Sequence, residues 1–193
     1  MSEGEKKTAR HSRTEGAGRL GTWLLIASLG MLFGAALVGY LVIRLRAPEW
    51  PPPGSPPLPG GVWISTALLA ALSAVLILAE RAVREGRVGA LSRMLTVSDL
   101  LAVAFLASQV GCWMRMAADN VLPQQNLLVW GFYTLTFLHA VHVLAGLVPL
   151  ILVTVRARRG RYTADDYEGV HFVAMYWHFL LVTWVAILAV LAF

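Results

Sequence analysis

The residues best suited to chemistry are four histidines. His139 and His142 lie three residues apart and His171 and His178 seven apart, so that each pair shares one face if its segment is helical. Facing pairs on adjacent helices could bind a metal or supply axial ligands to a haem, as neutral imidazoles do. The competing reading is ordinary hydrogen bonding between helices, in the company of Tyr133, Tyr176, Trp177 and Trp184. The lack of Cys, Asp or Glu beside the imidazoles favours that second reading. No set of nucleophile and base is present, and no carboxylate is expected in the middle of an apolar segment, which argues against a self-contained proton relay.

The elements that must position these residues follow from composition. Of the 193 residues 58% are hydrophobic and 14% charged, a balance too apolar for a soluble domain. A bilayer core roughly 30 Å thick needs about 20 consecutive apolar helical residues. Such runs are predicted at 20–43, 62–79, 95–114, 127–155 and 170–193. The expected fold is therefore an all-α bundle of five transmembrane helices, preceded by a disordered polar tail over residues 1–19. Thr96, Ser98 and Asp99 are read as the capped start of the third helix.

Orientation follows from the basic residues. Lys6, Lys7, Arg10, Arg13 and Arg19 precede the first run, Arg81, Arg84, Arg87 and Arg93 follow the second, and Arg156, Arg158, Arg159 and Arg161 follow the fourth. The other side receives Arg44, Arg46 and Arg115. The positive-inside rule predicts a cytoplasmic N-terminus and an outer C-terminus. The net charge of +5 is thus a topology signal, and nucleic acid is not an expected partner. The first run is too long for the apolar core of a cleavable signal and is expected to be retained. The single Cys112 allows no internal disulfide. Pro48 to Pro59 should form a stiff extended link, and Gly30 and Gly34 a small-residue strip for close helix approach.

Several motifs together resemble one family. Met175-Tyr176-Trp177-His178-Phe179 is similar to the YWHF signature in the last helix of subunit III of haem-copper oxidases. Phe132-Tyr133-Thr134-Leu135-Thr136, then His139-Ala140-Val141-His142-Val143 and Gly146, resemble the family's aromatic-x-LT, HxxHV and Gly pattern. Gly21, Trp23, Ser28, Tyr40 and Arg44 match in helix one, Ser65-Thr66 and Ser73 in helix two, and Phe105, Gln109 and Trp113 in helix three. The resemblance runs through all five spans and is to the short bacterial form, which lacks the first two helices of the seven-helix form.

That resemblance implies an accessory, non-catalytic subunit of a cytochrome c or quinol oxidase in the bacterial plasma membrane. Subunits I and II and membrane lipids would be its partners, with haem and copper in those subunits and no cofactor of its own. It also implies helix-packing and lipid-contact roles for Trp23, Tyr40, Gln109, His139, His142, Tyr176, Trp177 and His178. Family carboxylates are replaced by Leu29, Cys112, His171 and Leu181, which weakens the case for support of proton uptake. The alternatives are an accessory subunit of a nitric oxide reductase, or an independent haem or metal protein using His139, His142, His171 and His178.

Overall fold

The computed structural model describes the backbone of residues 3–192, and side chains of residue 18 and of residues 20–192. Five helices account for nearly all of it: α1 (Glu3–Arg46), α2 (Gly61–Arg84), α3 (Val88–Ala118), α4 (Leu127–Arg158) and α5 (Glu168–Ala192). No strand occurs among the described residues, and each helix is long and apolar enough to cross a membrane. Within α1 the span of that kind is Leu20–Arg46, so the membrane-length part starts where hydropathy places it. The helical backbone continues back to Glu3, through the polar stretch expected to be a tail.

Packing of α2 on α3, α3 on α4, α4 on α5 and α5 back on α2 closes a four-helix ring. α1 lies outside this ring against α5, with a lesser contact to α4. Its buried stripe of Leu29, Phe33 and Tyr40 follows helical periodicity, while Leu24, Met31, Val38 and Leu45 face outward. Neighbours in the ring run antiparallel, as short connections require. α2 and α3 are joined by Glu85 to Arg87 alone, with Gly86 at φ 70° making the reversal.

The third helix differs from its sequence-based expectation. It starts at Val88 instead of near residue 95, so Thr96, Ser98 and Asp99 lie inside it and cap nothing. Hydropathy registers only the lipid-length part of a helix, and Arg93 sits on the preceding turn with its Nε donating to the Gly89 carbonyl at 3.3 Å. Asp99 instead lies beside Thr154 and Arg158 of α4. The start of α4 agrees with expectation, because Asn126 provides a true cap whose Oδ1 accepts from the Val129 N–H at 2.9 Å.

The Gly30 and Gly34 strip is also not a close-packing site. A methyl group on Gly30 would reach only van der Waals distance from Phe179, and one on Gly34 would meet nothing. Close approach occurs on α4, where added methyl groups on Gly131 and Gly146 would overlap the rings of Tyr40 and Tyr176. The Pro48 to Pro59 link is irregular throughout and anchored by Trp50, whose ring meets Tyr40 edge-on at 5.9 Å beneath the Arg44 guanidinium at 5.0 Å.

Candidate functional site

Several polar side chains at membrane depth pair across the helix seams, while Tyr40 Oη and Trp177 Nε1 are buried without a hydrogen-bond partner among the described residues. α2 presents Thr66, Ser73 and Glu80 at heptad spacing, and all three meet α5. Trp184 Nε1 donates to Thr66 Oγ1 at 3.0 Å, Ser73 Oγ pairs with His178 Nδ1 at 2.6 Å, and His171 Nδ1 pairs with Glu80 Oε1 at 2.9 Å. Two helices running antiparallel bring such positions into register every two turns, so the seam carries a three-rung polar ladder. This ladder requires that Glu80 belong to α2, whereas the predicted span ended at residue 79. The heptad of Thr66, Ser73 and Glu80 was the signal available in the sequence.

The other seams follow the same logic. Between α2 and α3, Gln109 Nε2 donates to Ser65 Oγ at 2.7 Å, and that hydroxyl also meets Ser108 Oγ at 2.9 Å. Between α3 and α4, Trp113 Nε1 donates to Thr136 Oγ1 at 3.1 Å. Between α4 and α5, the Tyr176 hydroxyl donates to the His142 carbonyl at 2.9 Å, with its ring lying in the space that Gly146 leaves. From α1, Arg44 Nη1 donates to the Val190 carbonyl at 2.9 Å.

His139 stands apart. It is fully buried at the junction of α1, α3, α4 and α5, with ring centroids of Trp184 at 5.1 Å, Phe105 at 5.7 Å and Phe33 at 6.1 Å. Neither ring nitrogen has a hydrogen-bond partner among the described residues. Here the imidazole serves as one ring of an aromatic cluster.

The four imidazoles do not converge. His142 Nδ1 is held at 2.7 Å from its own helix's Leu138 carbonyl, and its ring meets Phe33 edge-on at 4.9 Å. His171 and His178 face α2 at separate rungs. No group of three or more His, Cys, Asp or Glu side chains able to hold a metal occurs among the described residues. This donor set does not fit a shared metal or haem site.

An apolar groove of about 430 Å³ opens between α1, α4 and α5, bounded by Leu25, Leu29, His142, Gly146, Phe172 and Tyr176. Of the eight residues expected to pack helices or touch lipid, His142 and Tyr176 line this groove. Tyr40, Gln109, His139 and Trp177 are buried in the seams, and His178 is a rung of the ladder. Trp23 is 55% exposed on the outer face of α1. Outside the spans, Tyr162 is pushed up from the ordinary phenol range by burial, with Arg156 acting in the opposite sense.

An all-helical bundle of this size, whose polar residues tie helices together, is matched along its length by one family model, cytochrome c oxidase subunit III, over residues 2–193. The chain belongs to that family. Cytochrome c oxidase subunit 3 of Thermostichus vulcanus is 27% identical over 173 residues, covering 89% of this chain and 85% of the relative. The Synechocystis sp. protein of the same description is 28% identical, covering 86% of this chain and 71% of the relative. Cytochrome bo(3) ubiquinol oxidase subunit 3 of Pseudomonas aeruginosa is 26% identical, covering 88% and 81%.

As a subunit III, the chain is an accessory subunit of a haem-copper oxidase. The four positions at which the resemblance implies a family carboxylate sit in different settings. Leu29 borders the groove, Cys112 is buried against Gly61, and Leu181 is half-buried. His171 faces the acid Glu80.

Proposed function

We propose that this subunit III is a membrane scaffold that packs against oxidase subunits I and II and holds lipid in the α1–α4–α5 groove. In this reading it lies in the bacterial plasma membrane with its N-terminus cytoplasmic, and haem and copper belong to its partners. The observation that carries the proposal is that the clasps described above join helix to helix, with no converging set for catalysis among the described residues. The relatives include both cytochrome c and ubiquinol oxidase subunits, and a scaffold role is common to either donor. Trp23 and the outward apolar residues of α1 provide the surface for lipid or a partner helix.

Loss of acids at Leu29, Cys112 and Leu181 removes the groups suited to relaying protons, so proton-uptake support is not part of the proposed role. The test is a mild-detergent pull-down of the tagged chain from native membranes, with mass spectrometry and a reduced-minus-oxidised spectrum. Recovery with a large haem-containing subunit supports the proposal. Recovery alone with a haem spectrum that His142→Ala and His178→Ala abolish overturns it.

A further inference from the structure

The end of the α2–α5 ladder differs from its other rungs in being charged and half open to solvent. Glu80 Oε1 accepts from His171 Nδ1 at 2.9 Å and from Arg84 Nη2 at 2.5 Å, with Glu80 16% and His171 47% exposed. Arg84 also lies over the Tyr167 ring at 5.4 Å, which ties the α4–α5 connection into the same cluster. A cavity of about 220 Å³ bounded by Arg84, Tyr167, Glu168, His171 and Phe172 gives solvent a route to the imidazole. These residues join the last turns of α2 to the first turn of α5, where the chain enters its final span.

We propose that Glu80 and His171 form a proton-operated clasp, tight when the imidazole is charged and looser when it is neutral, that fixes the start of α5 onto the end of α2. An imidazole changes charge within the physiological pH range. The Nδ1–H can donate to the Glu80 carboxylate in both states, so the contact persists, while a charged imidazole adds the attraction of opposite charges to a bond that the carboxylate already strengthens. The pair is therefore strongest at the acidic end of that range and weakens as pH rises.

The surrounding groups let the imidazole govern the clasp. On α2, the Arg84 guanidinium donates to the same Glu80 oxygen as His171. On α5, Glu168 borders the cavity, and His178 senses both Glu80 and His171 one rung deeper. From the α4–α5 connection, Tyr167 stacks with Arg84, while Tyr162 lies near Arg156 and abuts Gly169. From α1, the contact among the described residues is at Gly18 against Phe172. The clasp belongs to this chain and does not depend on which oxidase holds it.

The experiment is hydrogen exchange of amides 170–175 in the full chain within its purified complex, corrected for the intrinsic pH dependence of exchange. Between about pH 5.5 and about pH 8.5, spanning imidazole titration, wild-type protection should fall about fivefold. His171→Gln, which keeps a donor but no titratable charge, should show no such fall, and neither should Glu80→Gln. His178→Gln should retain it. Flat protection in the wild type, a full fall in His171→Gln or Glu80→Gln, or loss of the fall in His178→Gln alone would each overturn the proposal.

Discussion

α1 and α5 have similar apolarity and opposite circumstances. In its most apolar stretch α1 is 17% buried inside the protein, against 50% for α5. α5 meets α2 through three polar rungs and α4 through Tyr176, whereas among the described residues α1 is attached by the buried stripe of Leu29, Phe33 and Tyr40 and by a hydrogen bond from Arg44. In lipid there is no hydrophobic drive to bring apolar helices together, so close packing and polar contacts decide which helices associate firmly. α5 is thus the keystone of the ring, and α1 is a peripheral helix with most of its surface left for other contacts. The comparison makes the effect of a substitution depend on which of the two helices it loosens.

The largest expected loss comes from the keystone. Trp184→Ala removes a fully buried indole, the Phe105 and His139 ring contacts, and the bond to Thr66. A cost of about 3–5 kcal/mol is expected, as for other large aromatic truncations in packed interiors. Thermal unfolding of the purified complex should show it, together with a fall in the amount of assembled subunit. A Trp184→Ala chain as stable as wild type would remove α5 from its central place in this comparison.

Gly131→Val tests the other side. The added methyl groups would collide with the Tyr40 ring, which must leave its seat and take the Trp50 anchor with it. The expected cost is about 1–3 kcal/mol, and it should fall on α1 while the ring of α2 to α5 stays closed. Limited proteolysis would detect this as faster cleavage in the Pro48 to Pro59 link without new cleavage near Gly86 or Gly160. Equal cleavage at all three would show that α1 and the ring unfold as one unit.

How much of this was legible beforehand depended on whether the information lay within one helix or between two. The five spans, the start of α4 at Leu127 and the shared face of His171 and His178 come from local pattern. The start of α3 was placed late because charged residues mask helical turns that continue beyond the lipid slab. The same effect put Glu80 outside helix two and hid the partner of His171. Pairing of α2 with α5 is not a property of either segment, so Thr66, Ser73 and Glu80 could be seen as a heptad but not assigned a partner. His139 fell between the two readings offered for it, since its imidazole ligates nothing and hydrogen-bonds to no described residue, but stacks among aromatic rings.

A middle rung supplies a smaller effect. Ser73→Ala leaves His178 Nδ1 without its partner, and an interhelical hydrogen bond in a membrane is worth about 0.6 kcal/mol on average. A double-mutant cycle of Ser73→Ala with His178→Phe, read by unfolding, should return a coupling of about that size. A coupling near zero would mean that the rung marks register without adding stability, leaving aromatic packing to hold the seam.

The smallest effect on the fold, and the one that best separates the two helices, is expected at Trp23. Its indole is 55% exposed on the outer face of α1, and among the described residues it joins none of the seam hydrogen bonds or ring contacts. Trp23→Ala should therefore change the chain's unfolding free energy by less than about 0.5 kcal/mol, the usual range for surface positions. If the outer face of α1 is where lipid or a partner helix sits, the same variant should be recovered with less bound lipid or partner despite its unchanged unfolding. Loss of both at once would place Trp23 in the fold, and loss of neither would leave the outer face of α1 facing only bulk bilayer. Trp23 and Trp184 are the same residue type near opposite ends of the chain, so the pair tests whether attachment to the ring, and not side-chain chemistry, sets what a tryptophan does here.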